Sequence, residues 1–201
     1  MDPDRSNGYP LHRREVVAKL LSQRADLLVV AGLGSPAWDM TAAGDNPLNF
    51  PLWGAMGGAV PLGLGLALAQ PSRRVLVITG DGEMLMGLGS LATVALQHPP
   101  NLAIVVLDNE RYGETGMQRT HTAGDVDLSA VAGVTGFPFC QTIRDDKNIR
   151  SMLPLIRTEK GPLFLNIKVR AEDLPIVLPP KEGIILRDRF RLALLGSEAM
   201  G

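Results

Sequence analysis

Three runs of the chain are apolar almost without interruption, DLLVVAG (26–32), RVLVITG (74–80) and LAIVVLD (102–108), and PLFLNIKV (162–169) is a fourth. A strand with one face in water alternates apolar and polar side chains. A strand covered on both faces does not, and continuous runs of this kind mark a parallel sheet sandwiched between helices. The spacers are long enough to supply those helices. LHRREVVAKLLSQR (11–24) carries an apolar stripe at positions 16, 17, 20 and 21, with Pro10 suited to the first helical position. Further helices are expected over 59–70, ending before Pro71, over 83–97, closed by His98-Pro99-Pro100, and over 127–136, 145–159 and 185–195. FPFCQTI (137–143) adds a strand, 49–58 and 110–124 read as loops, and LPIVLPPKEG (174–183) reads as an extended tail. The expected fold is α/β, a doubly wound, mostly parallel sheet with helices on both faces. Residues 1–201 read as one domain, with 171–201 as its C-terminal tail and helix.

Composition narrows the partners. A length of 201 residues can bury a sizeable core. A net charge of −1 leaves no electrostatic footprint for nucleic acid. The single cysteine, Cys140, excludes an internal disulfide and fits a reducing cytoplasm. MDPDRSNGYPLHRR has no apolar core of a secretory signal, and GAMGGAVPLGLGLALA is interrupted by Pro61 and five glycines, so no membrane span is expected. A cytoplasmic protein is the expectation.

VLVITGDGEM poses the functional question. A buried strand runs into Gly80-Asp81-Gly82 and then a helix start, the kind of turn where free N–H groups and the helix dipole favour a phosphate. A carboxylate in the middle of that turn repels an anion unless a cation stands between them. If the strands at 74–80 and 102–108 are parallel neighbours, Asp81 and the Asp108-Asn109 pair end on one sheet edge. A carboxylate, an amide oxygen and a nearby main-chain carbonyl form a hard, all-oxygen donor set suited to Mg²⁺, which completes its octahedron with phosphate and water. The plainer reading makes Asp81 a helix cap. A rival motif lies upstream. Gly32-Leu33-Gly34-Ser35-Pro36-Ala37 formally matches a dinucleotide fingerprint after a strand, but the acidic residue expected about 20 residues on is missing. Its plainer reading is a strand-to-helix turn with Ser35 as cap and Pro36 first in the helix.

Gly80-Asp81-Gly82, 25 further residues and then Asp108-Asn109 resemble the signature of thiamine-diphosphate-dependent enzymes, with Asp108 in place of that signature's first asparagine. The resemblance implies that Asp81 and Asn109 ligate Mg²⁺ by their side chains and Arg111 by its main-chain carbonyl. It implies main-chain N–H groups of Gly82 and Glu83 on the diphosphate, with the Glu83 charge turned away. Gly54-Ala55-Met56-Gly57 resembles the loop of these enzymes that wedges a bulky apolar residue between the two cofactor rings. Met56 fits the wedge, with the Gly54 carbonyl and the Met56 N–H reading the aminopyrimidine. Gly80, Ala55, Tyr112 and Gly113 complete the expected cofactor contacts.

Within that superfamily the chain most resembles the small 3-sulfopyruvate and phosphonopyruvate decarboxylases, most densely from WGAMGGA to YGETGMQ. Met117 stands where their loop has a glycine. A complete enzyme of this kind needs a second, pyrimidine-type domain that supplies a glutamate to the aminopyrimidine. This chain offers no such glutamate, since Glu83 and Glu114 lie on the diphosphate side. The resemblance therefore implies the β-type subunit of a hetero-oligomer, two plus two or a multiple, acting on a small anionic 2-oxo acid. Arg119 and His121 are candidates to face that substrate, and His121 joins Met56 in the expected catalytic set. Alternatives are a 2-oxoacid oxidoreductase-type β subunit, disfavoured by the lone cysteine, or a cofactor-binding subunit without turnover of its own.

Overall fold

The computed structural model describes residues 4–158 and 160–200. Its main sheet is built from β1 (Leu28–Ala31), β2 (Asn49–Pro51), β3 (Val75–Gly80), β4 (Leu102–Asp108), β7 (Phe139–Ile143) and β8 (Leu163–Lys168). The strands lie in the order β2-β1-β3-β4-β8-β7, and every pairing is parallel. A small antiparallel pair, β5 (Arg111–Tyr112) and β6 (Gln118–Arg119), stands apart from it.

The apolar runs are continuous because successive side chains enter different cores. Val29, Ala31, Leu76, Ile78, Val105, Leu165 and Ile167 pack on one face. That face is covered by α1 (Arg13–Leu21), α2 (Ser35–Ala42) and α7 (Asp146–Thr158). Leu28, Val30, Val75, Val77, Ile104, Val106 and Phe164 pack on the other. There the cover is α3 (Ala59–Ala69), α5 (Ser90–Gln97), α6 (Leu128–Thr135) and α8 (Gly183–Leu195). Among the described residues no helix is long and apolar enough to cross a membrane. α3 has no charged residue, yet Leu62 and Leu68 are exposed on it.

Several local expectations need correction. Pro10 lies outside α1, which starts at Arg13 with His12 as its cap. Residues 49–51, read as loop, form β2, which was too short to announce itself. The helix expected over 83–97 is two helices, α4 (Asp81–Met86) and α5, because Gly87 ends the first turn and packs against another loop. A Cβ on Gly87 would lie 2.4 Å from the Gly57 carbonyl oxygen, so only two glycines allow this approach. Gly34, with φ of 76°, caps α2 in place of Ser35, which is the first helical residue.

Candidate cofactor site

From β1 the sheet extends to β2, and from β3 it extends the opposite way to β4 and β8. Ligands of open parallel sheets settle at such divergence points, outside the carboxyl ends of the strands. A cavity lies there. Leu33, Ser35 and Pro36 line it after β1, Gly80 to Glu83 after β3, Asn109 and Arg111 after β4, and Met56, Tyr112 and Gly113 across its mouth. Gly54 and Ala55 sit beside Met56 on the exposed loop but do not line the cavity, and Arg119 and His121 are likewise exposed and outside the lining.

The register of β3 and β4 pairs Gly80 with Leu107, which brings Asp81 beside Asp108. Asp81 is 2% exposed. Its Oδ2 accepts from the hydroxyls of Thr120 at 2.5 Å and Thr122 at 3.1 Å. Burial, and then the neighbouring Asp108, push its carboxyl up to about 7, against the pull of the two threonines. A cation beside Asp81 would offset both effects. Asn109 Oδ1 accepts from the Arg111 N–H at 3.0 Å, an Asx turn that fixes the amide and leaves the oxygen a second lone pair. Among the described residues no three His, Cys, Asp or Glu side chains are grouped around a metal position. The donor set here is a carboxylate, an amide and a main-chain carbonyl, which suits a hard octahedral cation that keeps phosphate and water ligands.

The Glu83 side chain has a structural role of its own. Its carboxylate turns under the turn, where Oε2 accepts from Thr79 Oγ1 at 2.7 Å and Oε1 from the Ala59 N–H at 3.3 Å. Burial raises its pKa, and hydrogen bonds from Thr79, Ala59, Gly57 and Leu33 oppose that rise. Glu83 thus ties the β1 and β3 turns to the Met56 loop. A Cβ on Gly32 would sit 1.6 Å from Glu83 Oε2, which explains the first glycine of the dinucleotide-like motif without any nucleotide. The Tyr112 ring lies on Gly82, where a Cβ would meet Cε1 at 2.5 Å.

Behind Asp81 runs a buried network. The single proton of Thr122 Oγ1 is shared between Asp81 Oδ2 and the nearer Asp108 Oδ1 at 2.7 Å, which links the two carboxylates, and Lys168 Nζ lies 2.7 Å from Asp108 Oδ2 and 2.8 Å from Glu110 Oε1. Glu110 also accepts from Arg5 and Tyr9. The charge added by Asp108 is therefore answered inside the protein. Sequence reading missed Thr120, Thr122, Lys168 and Arg13. Two of these had a signal. Lys168 interrupts an apolar run at the end of β8, directly opposite Asp108 in register, and Arg13 extends the stripe of residues 16, 17, 20 and 21.

Residues 36–167 match the family model described as "Thiamine pyrophosphate enzyme, C-terminal TPP binding domain". The chain belongs to this family. It is 41% identical over 179 residues to the sulfopyruvate decarboxylase subunit beta of Methanothermobacter thermautotrophicus, covering 88% of this chain and 93% of that subunit. Phosphonopyruvate decarboxylase of Streptomyces viridochromogenes is 35% identical over 89% of this chain, which spans 45% of that enzyme's length. Benzoylformate decarboxylase from Polynucleobacter necessarius shares the fold, with a TM-score of 0.72 at 19% identity over 83% of this chain and 34% of that one. The cavity fits the ligand of a TPP-binding domain in its own terms. It holds a buried carboxylate with no cationic side chain bonded to it among the described residues, a main-chain turn at the mouth of a parallel sheet, and a half-exposed Met56 beside an aromatic ring.

Proposed function

We propose that this chain is the diphosphate-binding, β-type subunit of a thiamine-diphosphate- and Mg²⁺-dependent decarboxylase of a small anionic 2-oxo acid, of the 3-sulfopyruvate or 3-phosphonopyruvate kind. One observation carries the reading. Asp81, buried and with no cationic side chain bonded to it among the described residues, lines with Asn109 a cavity at the divergence of β1 and β3, in a chain 41% identical to a named decarboxylase β subunit over 93% of that subunit's length. Residues 1–201 form the diphosphate-binding domain on this reading.

Asp81 and Asn109 hold the metal by their side chains and Arg111 by its carbonyl. Thr120 and Thr122 fix the Asp81 carboxylate by occupying Oδ2. The N–H groups of Gly82 and Glu83 face the diphosphate, with Gly80 shaping the turn. Met56 sets the bend between the rings, supported by Gly54, Ala55, Tyr112 and Gly113. The cofactor supplies an electron sink for decarboxylation. The glutamate that addresses the aminopyrimidine comes from a separate pyrimidine-domain subunit, two of each chain being the smallest symmetric assembly. That partner covers the face made by Met56, Tyr112 and residues 113–121, His121 included.

The test is reconstitution. The full chain with thiamine diphosphate and Mg²⁺ should release no CO₂ from 3-sulfopyruvate or 3-phosphonopyruvate. Adding the pyrimidine-domain subunit should start release, and removing that subunit's glutamate should stop it. Robust turnover by the isolated chain, or none in the reconstituted pair, overturns the proposal.

A further inference from the structure

Arg13 is a buried cation with too few partners. It is 4% exposed at the start of α1. Its Nη1 donates to Asp39 Oδ2 at 2.5 Å, and among the described residues it makes no other hydrogen bond. A guanidinium carries five N–H donors. The Arg13 Nε is enclosed and has no acceptor among the described residues. Asp39, itself fully buried, also accepts from Arg14 Nε at 3.1 Å through its other oxygen. One carboxylate thus serves two guanidiniums, which leaves an excess positive charge. A buried cation served this poorly is costly unless another anion answers it.

Arg13 lines the cavity that holds Asp81 and Asn109. Ser35 and Pro36, from the first turn of the eight-residue α2, line it too. The helix dipole adds further positive potential on that side. The cavity has two unlike ends. Met56, 39% exposed, stands at the open end. Arg13, with Leu107 and Val169, 4% and 0% exposed, belongs to the cavity's buried lining, which we take as the closed end. Thiamine diphosphate is a linear ligand with its rings at one terminus and a phosphoryl group at the other. With the rings at Met56, the terminal phosphoryl group reaches toward the closed end.

We propose that Arg13 binds the terminal phosphoryl group of the bound diphosphate, opposite the metal ligands. This rests on the thiamine diphosphate reading given above. The guanidinium fork matches two phosphoryl oxygens at once, which a lysine cannot do. Asp39 then acts as the holder of the fork, shared with Arg14 so that it stays paired whichever arginine is engaged.

Calorimetry on the chain reconstituted with the pyrimidine-domain subunit, in Mg²⁺, tests this with inorganic pyrophosphate, thiamine diphosphate and thiamine monophosphate as ligands, and steady-state kinetics of the same pair give the KM for the 2-oxo acid. Arg13→Met should weaken pyrophosphate and thiamine diphosphate by about ten- to a hundredfold, the scale of a charge-assisted hydrogen bond. It should weaken the monophosphate by less than about threefold, since the lost contact is to a group that ligand lacks. Arg13→Lys should fall between, keeping charge without the fork. Arg150→Met should change none of the three, because Arg150 is exposed on α7 and does not line the cavity. Arg13→Met strands no carboxylate, since Asp39 keeps Arg14. Should it still fail to fold by circular dichroism, Arg13→Lys decides alone through its loss of preference for diphosphate over monophosphate. Unchanged pyrophosphate affinity overturns the proposal, as does an equal loss for both thiamine phosphates. Intact cofactor affinity with a raised KM for the 2-oxo acid would assign Arg13 to the substrate instead and overturn it too. Wild-type protein that binds none of the ligands refutes the cofactor reading itself, whereas wild-type binding matched by Arg13→Met removes only the role of Arg13.

Discussion

Lys168→Met should cost far more than its place at the end of an edge-side strand suggests. Lys168 Nζ is 2.7 Å from Asp108 and 2.8 Å from Glu110, both 0% exposed, while Lys168 itself is 6% exposed. Burial alone would lower the Lys168 pKa, but Asp108 and Glu110 outweigh it and the net shift is upward. Glu110 keeps Arg5 and Tyr9 when Lys168 is lost. Among the described residues Asp108 keeps only neutral donors, Thr122, Asn166 and the Glu110 N–H. An uncompensated buried charge costs about 3–5 kcal/mol, a large fraction of the ~5–15 kcal/mol that holds a domain together. Replacing both members of a buried pair is far milder than breaking it. Asp108→Asn alone strands less, since Lys168 retains Glu110, and should cost about 1–3 kcal/mol. The double variant Asp108→Asn/Lys168→Met should lie only about 1–2 kcal/mol below wild type, because no charge is left unanswered. Asn166, whose Oδ1 has no partner among the described residues, can turn its amide to accept from the new asparagine. Urea unfolding followed by circular dichroism measures all four proteins by linear extrapolation. If the two single losses simply add, to within about 0.5 kcal/mol, the network does not work as argued.

If Met56 is the wedge proposed above, Met56→Ala, measured in the reconstituted enzyme, should lower turnover more than thiamine diphosphate affinity, because the diphosphate contacts would remain. Wild-type turnover would reduce Met56 to filler. Asp127 caps α6, accepting from the N–H groups of Ser129 at 2.9 Å and Ala130 at 3.1 Å. Asp127→Ala should therefore cost ~1 kcal/mol at neutral pH. Burial is the largest single influence on the Asp127 pKa and raises it, but the hydrogen bonds from Ser129 and Ala130 together outweigh it, and the net shift is down. The cap thus stabilises above the ordinary carboxylate range and is lost as pH falls through the depressed folded value. The gap between wild type and variant in thermal melts should close below about pH 4, and a gap that persists in acid contradicts the assignment.

The parallel strands were legible because double burial leaves no polar position to blur the run, as β3 and β4 show. β2 was not, since three residues carry no period. The split between α4 and α5 depended on Gly87 meeting Gly57, a contact thirty residues distant that no local pattern reports. Within the site, Asp81 and Asn109 stood out as polar ends of apolar strands. Thr120 and Thr122 did not, because ordinary loop hydroxyls gain their role only from the fold that lays them on Asp81. Asp108 looked like a flaw in a motif until its register partner Lys168 was in view. Met56 and Tyr112 reach the cavity, and His121, on an exposed turn, does not, because sequence proximity to a site says nothing of the direction a loop takes.

The meeting of Gly57 and Gly87 has a dimensional consequence. Peptide planes touch there with no side chain between them, a Cβ on Gly57 being only 3.0 Å from the Gly87 nitrogen. A side chain in such a place acts as a shim, able to change rotamer and let two loops drift apart. Bare main chain has no such slack. The loop bearing Met56 and the helix begun by Asp81 are thereby bolted at one separation, and Glu83 adds a second bolt through Ala59. A ligand gripped at one end by the first and at the other by the second is gauged for length. On the proposed reading, the short link between thiazolium and phosphate would be matched by the span of the scaffold, without any residue having to touch it.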